Sequence, residues 1–89
     1  MPQWEITVYG RVQGVGFRYF VKQTAQKWNV EGFVKNLYDG SVYVLAVADT
    51  QVLESFCQEL ERGNTFSRVR DIQIYKEETT KRYHGFEIR

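Results

Sequence analysis

A glycine-rich segment that ends in an arginine, residues 10–18, carries the groups best suited to chemistry in this sequence. Its glycines let the backbone curl so that successive N–H groups point inward at an anion. A helix that starts behind the segment adds unpaired N–H groups and the positive end of its dipole. Arg18 can close over the same anion, because a guanidinium binds phosphate through paired hydrogen bonds. The segment therefore predicts a phosphate-binding site.

A purely structural interpretation of the same segment is also open. The glycines then only make a tight turn, and Arg18 is a solvated residue in the first turn of a helix, because short glycine patterns recur by accident. The segment also lacks the Gly-Lys-Ser/Thr ending of a nucleotide-binding P-loop. It therefore does not predict a site for a Mg²⁺-bound nucleotide.

The length and charge of the chain narrow the classes of function. A chain of 89 residues fits one domain, residues 1–89. The 12 basic residues nearly balance the 11 acidic residues, so no overall positive field favours nucleic acid or an anionic membrane surface. No apolar run approaches the roughly 20 residues of a membrane span, and the N-terminus lacks a signal peptide. We expect a cytoplasmic monomer that binds neither nucleic acid nor membrane.

Cysteine and histidine are scarce in the chain. Cys57 is the only cysteine and His84 the only histidine, which argues against a disulfide, a zinc site or a His-based triad. Cys57 falls on the apolar stripe of a predicted helix, where a buried thiol is the expected state. His84 is expected at the surface or at a sheet edge. No residue is predicted to bind a metal ion.

Apolar periodicity defines the elements of the first half of the chain. Residues 3–12 alternate as in a half-buried strand, and apolar residues spaced three and four apart predict a helix over residues 17–29. Residues 32–38 and 41–48 are β-rich. Between them, Asp39-Gly40 favours the positive backbone angles of a tight turn. These two segments therefore form a predicted hairpin.

The second half of the chain predicts a helix, a loop and a strand. The helix spans residues 50–62, with a capping side chain before it and Gly63 after it. Residues 64–68 are predicted as a loop and residues 69–76 as a strand. Residues 85–89 are long enough for only a short terminal strand.

The order strand, helix, strand, strand, helix, strand is that of the ferredoxin-like split βαβ fold. We therefore predict an α+β fold with an antiparallel sheet and two helices on one face. We also expect the first and third elements, both strands, to run beside each other. The end of the second strand would then converge with the glycine-rich segment on one pocket.

Two motifs resemble signatures of the acylphosphatase family. Residues 10–18, Gly-Arg-Val-Gln-Gly-Val-Gly-Phe-Arg, are similar to its first signature, and residues 32–42, Gly-Phe-Val-Lys-Asn-Leu-Tyr-Asp-Gly-Ser-Val, are similar to its second. Residues 67–69 and 85–89 also resemble family positions, so the likeness covers nearly the whole chain. The predicted fold agrees with this resemblance.

The resemblance implies that the chain hydrolyses acyl phosphates to a carboxylate and inorganic phosphate, with no metal or organic cofactor. It implies that Arg18 binds the phosphate and that Asn36 holds the attacking water. The backbone N–H groups that would wrap the phosphate oxygens belong to Gln13, Gly14, Val15, Gly16, Phe17 and Arg18. Without the resemblance, the position of Asn36 near the hairpin turn predicts only a turn or edge-strand residue.

Two competing functions remain to be separated from acyl phosphate hydrolysis. An RNA-recognition module shares the order of elements and presents aromatic residues on its open sheet face, where this chain would carry Tyr9 and Tyr43. Residues 41–47, however, lack the Lys/Arg-Gly-Phe core of that module, and the net charge is only +1. The other competitor is a non-catalytic sensor that keeps the phosphate-binding loop, against which the presence of both Arg18 and Asn36 argues.

Overall fold

A five-stranded sheet forms the centre of the structure, a computed structural model that describes residues 1–89. The elements are β1 (Pro2–Arg11), α1 (Phe17–Trp28), β2 (Glu31–Asn36), β3 (Val42–Val47), α2 (Thr50–Arg62), β4 (Arg68–Glu78) and β5 (Phe86–Ile88). The strands lie in the order β4-β1-β3-β2-β5. The first four pair antiparallel, and β5 lies parallel to β2, so the complete sheet is mixed. The predicted ferredoxin-like α+β fold is confirmed, with β5 added at one edge.

The order of strands corrects one expectation about the site. β1 and β2 do not run beside each other, because β3 pairs with both and lies between them. In a split βαβ unit, the connection through the helix leaves room for a third strand to be inserted. Since β1 and β2 are both antiparallel to β3, they run in the same direction. The C-terminal ends of β1 and β2 therefore still lie at the same end of the sheet, on either side of β3.

Both helices pack on one face of the sheet and bury a single core. Residues 4, 6 and 8 of β1 are buried there, as their alternation predicts. From α2 the predicted stripe is buried as a unit, and from α1 the buried apolar residues recur at helical spacing. The helix residues in this core are Phe17, Val21, Ala25, Leu53, Phe56, Cys57 and Leu60. Neither helix is long and apolar enough to span a membrane.

The opposite face of the sheet is partly covered by the chain itself. The Tyr43 hydroxyl donates a hydrogen bond to Glu5 Oε1 at 2.6 Å, and burial together with this carboxylate raises the pKa of Tyr43. The ring of Phe33 lies beside that of Tyr43 and also beside that of Tyr83 from the β4–β5 connection. Phe33, Tyr43 and Tyr83 are therefore engaged within the protein, whereas Tyr75, opposite Glu5 on the same face, is 64% exposed.

The hairpin between β2 and β3 has a longer turn than Asp39-Gly40 alone predicts. Leu37 N–H donates to the Ser41 carbonyl at 2.9 Å, and Gly40 N–H donates back to the Leu37 carbonyl at 3.2 Å. Gly40 alone takes a positive φ, 93°, which is the pattern of a three-residue hairpin loop. Asp39 accepts hydrogen bonds from the hydroxyl and N–H of Ser41, which lower its pKa. These bonds close the turn one residue wider than predicted.

The side chain of Gln13 ties the glycine-rich loop to this hairpin. Its Nε2 donates to the Leu37 carbonyl at 2.6 Å and to the Ser41 carbonyl at 2.9 Å. These carbonyls lie at the start and at the end of the turn. Because Leu37 follows Asn36 directly, Gln13 fixes the end of β2 against the loop that follows β1.

We expect Gln13→Glu to destabilise the fold by about 1–3 kcal/mol at pH 7, because an ionised carboxylate has no donor for the two carbonyls and is repelled by both. The matched control is Gln23→Glu, which adds the same charge at an exposed position of α1. Chemical denaturation would compare the free energy of unfolding of both variants with that of wild type. Equal values for the two variants would contradict the bridging role of Gln13.

Candidate active site

The loop between β1 and α1 curls through two left-handed residues. Gly14 has φ 72° and Gly16 has φ 73°, a region that residues with a Cβ adopt only at a cost. Gly16 also stands directly before α1 as its N-cap residue. The two glycines therefore allow the loop to fold back over the start of the helix.

The backbone N–H groups of this loop have no partner within the protein. The backbone N–H groups of residues 13–16 donate no hydrogen bond to any backbone or side-chain acceptor, although the Gln13 side chain does donate. The bond from Phe20 N–H to the Gly16 carbonyl, 3.0 Å, opens the helix, so the N–H groups of residues 17–19 precede the helical ladder. No side chain caps the helix, and its first turn has no acidic residue. The loop and helix thus present a run of free donors at the positive end of the helix dipole.

A pocket of about 190 Å³ opens beside these donors. This volume is below the roughly 300 Å³ at which pockets for drug-sized ligands begin, so the pocket suits a small ligand. Arg18 and Asn36 both line it, which brings together the two side chains singled out from the sequence. The complete lining is Val12, Gly14, Gly16, Phe17, Arg18, Tyr19, Asn36 and Ile88.

Arg18 is only partly engaged by the protein. Its Nη1 donates to the backbone carbonyl of Arg89 at 3.4 Å, a long bond that holds the side chain toward the segment after β5. The guanidinium forms no ion pair with an Asp or Glu side chain. Most of its donors and its full positive charge are therefore available to an anion in the pocket.

Asn36 is the last residue of β2, opposite Val42 of β3. Its exposed side chain makes no hydrogen bond within the protein, so both the carbonyl oxygen and the NH₂ group are free. A carboxamide of this kind can accept one hydrogen bond from a water molecule while it donates another. Of the predicted site residues, the structure brings Asn36, Gly14, Gly16, Phe17 and Arg18 into the pocket lining, whereas Gln13 and Val15 are not part of it.

Asn64 contacts this loop and was not singled out by its sequence. It follows the Gly63 cap of α2, in a segment predicted only as a loop. Its Nδ2 donates to the Val15 carbonyl at 2.8 Å. A lone asparagine in a loop resembles any turn residue, so its spacing gives no signal for this contact.

The remaining candidates for chemistry lie away from the pocket. Cys57 is 5% exposed in the core, and burial raises the pKa of its thiol to about 12, so it stays protonated at neutral pH. His84 is exposed in the connection that precedes β5. No group of three His, Cys, Asp or Glu side chains is arranged to hold a metal ion.

Comparison with known proteins identifies similar chains along the whole sequence. A family model described as Acylphosphatase matches residues 4–88. An acylphosphatase of Bacillus subtilis (strain 168) is 44% identical over 88 residues, which cover 99% of this chain and 97% of the relative. An acylphosphatase of Archaeoglobus fulgidus is 42% identical over 84 residues, which cover 94% and 93% of the two chains.

The fold agrees with these sequence matches. The crystal structure of acylphosphatase from Bacillus subtilis matches this structure with a TM-score of 0.96 at 44% identity, and the match covers 99% of this chain and 98% of that chain. Sequence and structure therefore agree over the loop, the hairpin and the terminal strand alike. This chain belongs to the acylphosphatase family of hydrolases.

Proposed function

We propose that this chain hydrolyses the carboxyl–phosphate bond of small acyl phosphates. In this proposal the phosphate group lies against the backbone N–H groups of residues 13–18, and Arg18 closes over its oxygens. Asn36 binds the water that attacks phosphorus. The observation that carries the proposal is the free donors beside Arg18 in a pocket shared with Asn36, in a chain of the acylphosphatase family.

The free donors act on the charge of the phosphoryl group. During transfer, negative charge is spread over the three equatorial oxygens, and donors that are already oriented toward them stabilise the transition state without reorganising. Because the first turn of α1 has no acidic residue, the dipole and the Arg18 charge are not offset locally. The loop therefore supplies electrostatic stabilisation where the reaction needs it.

The role of Asn36 is to orient the attacking water. Its carbonyl oxygen accepts a hydrogen bond from the water and its NH₂ group donates one, which limits the water to few orientations. The water oxygen forms a bond to phosphorus as the bond from phosphorus to the carboxylate oxygen breaks, and the electron pair leaves with the carboxylate. A phosphate oxygen of the substrate takes the proton of the water. Positioning is enough here, because a carboxylate is a good leaving group and needs little help from a general acid.

We expect the purified protein to hydrolyse acetyl phosphate in the presence of EDTA at a rate far above spontaneous hydrolysis. Release of inorganic phosphate measures the reaction, and circular dichroism verifies that the protein is folded. A folded protein that binds inorganic phosphate but leaves acetyl phosphate intact would instead be the non-catalytic sensor.

Arg18→Lys is expected to lower kcat/KM at least about 100-fold and to weaken inhibition by inorganic phosphate, because a lysine ammonium lacks the planar pair of donors. The midpoint of thermal unfolding should stay within about 3 °C of wild type, since the side chain makes only one long bond. Arg11→Lys, at an exposed position at the end of β1, is the matched control. Full activity in the Arg18 variant would remove Arg18 from the mechanism.

Asn36→Ala is expected to lower kcat about 100-fold while the inhibition constant of inorganic phosphate changes less than about threefold. The reason is that Asn36 holds the water and not the phosphate. Steady-state kinetics with phosphate as a product inhibitor would separate the two effects. A loss of phosphate affinity as large as the loss of kcat would assign Asn36 to phosphate binding instead.

A further inference from the structure

Asn64 connects the loop of residues 13–18 to the turn between α2 and β4. Its Nδ2 donates a hydrogen bond to the Val15 carbonyl at 2.8 Å, across a sequence separation of 49 residues. Asn64 itself is not part of the pocket lining. Its bond to Val15 therefore acts on the shape of the loop and not on a ligand directly.

The bonded carbonyl and one of the free donors belong to the same peptide unit. The carbonyl of Val15 and the N–H of Gly16 are joined by a trans peptide bond, as all peptide bonds of this chain are. In a trans peptide the two groups point in opposite directions. When Asn64 holds the Val15 carbonyl on its own side, the Gly16 N–H is turned to the other side. Gly16 lines the pocket, and its N–H makes no bond within the protein.

The local chain does not fix the orientation of this peptide unit. A flip of the unit changes ψ of Val15 and φ of Gly16, and a glycine accepts both signs of φ at similar energy. The φ of 73° at Gly16 is therefore one of two accessible states. A contact from elsewhere in the fold has to select between them, and the Asn64 amide is in contact with the carbonyl that the flip would move.

Hydrogen bonds fix the backbone of the turn that carries the Asn64 side chain. The backbone N–H of Asn64 donates to Ser67 Oγ at 2.9 Å, and the Ser67 hydroxyl donates to the backbone carbonyl of Asn64 at 3.2 Å. The other end of the amide, Oδ1, is buried without a partner. A buried acceptor without a donor is unfavourable, and the bond from Nδ2 to the Val15 carbonyl is the only hydrogen bond of this side chain within the protein. Exchanging the two ends would set oxygen against the Val15 carbonyl.

We propose that Asn64 is a positioning residue of the active site, which locks the Val15–Gly16 peptide unit so that the Gly16 N–H faces the phosphate. Asn64 thereby raises the affinity for phosphate without touching it. The proposal rests on the proposed function, because it requires that the loop binds the phosphate group. Asn64 lies outside both sequence motifs, and in this proposal it helps to set the orientation of the N–H donors in the loop.

The test is a titration of ¹⁵N-labelled protein with inorganic phosphate, followed by NMR of the backbone amides. In wild type, the Gly16 amide signal should shift and saturate together with those of the other loop residues. Asn64→Ala should weaken phosphate binding about tenfold or more, since one donor to a charged oxygen is misdirected, and should reduce the shift of Gly16 most. Thr65→Ala, an exposed neighbour, should behave as wild type.

A second variant separates positioning from general loosening of the turn. Ser67→Ala removes the hydroxyl that closes the turn but leaves the Asn64 amide in the chain, so it should lower the midpoint of thermal unfolding while the phosphate affinity stays within about threefold of wild type. The proposal is overturned if Asn64→Ala binds phosphate as wild type does. It is also overturned if Ser67→Ala is as stable as Asn64→Ala and loses as much phosphate affinity as that variant. If wild type itself binds no phosphate, the proposed function fails together with the role of Asn64.

Discussion

The structure depends on a run of backbone N–H groups that must stay unpaired and yet stay in one orientation. Residues 13–16 form neither strand nor helix, and α1 begins at Phe17. No carbonyl or side chain of the protein accepts a hydrogen bond from the backbone N–H groups of residues 13–16. Unpaired N–H groups are costly in a protein interior. At the mouth of a pocket they are available to a ligand, and in the proposed mechanism that ligand is the phosphate group of the substrate. The remaining elements can be understood by how they hold this loop.

Two side-chain amides connect the loop to distant parts of the fold. Gln13 reaches from the loop to the hairpin and holds the carbonyls of Leu37 and Ser41. Asn64 reaches into the loop from the turn after α2 and holds the carbonyl of Val15. Both contacts use side-chain amides as donors to backbone carbonyls, so the backbone N–H groups of the loop are left free. The sheet contributes the common frame, because β3 fixes the distance between β1 and β2.

Most of the fold was predictable from the sequence, because it follows from local patterns. The alternation in β1 and the apolar stripe of α2 correspond to buried residues, and the end of α1 lies within a residue of its predicted position. The parallel pairing of β5 with β2 was not predictable, since three residues carry no information about their partner. The separation of β1 from β2 was missed for a related reason. Strand order depends on long-range packing that no single segment encodes.

The parts of the candidate site that depend on residue type were predictable from the sequence. The parts that depend on contacts between distant residues were not. Arg18 and the glycines stand out because a planar guanidinium and a curled backbone both suit a phosphate ligand. Gln13 was predicted to contribute its backbone, but its side-chain bonds span 24 and 28 residues and emerge only with the fold. Asn64 shows no pattern in sequence because its partner is a carbonyl, which every residue has.

The most direct measurement is a crystal structure of the protein with inorganic phosphate bound. It should contain the phosphate in the pocket, with its oxygens within about 3 Å of N–H groups of residues 13–18 and of the Arg18 guanidinium. The Asn36 carboxamide should face the side of the phosphorus from which water attacks. Phosphate bound away from Arg18, with the loop N–H groups still free, would contradict the account.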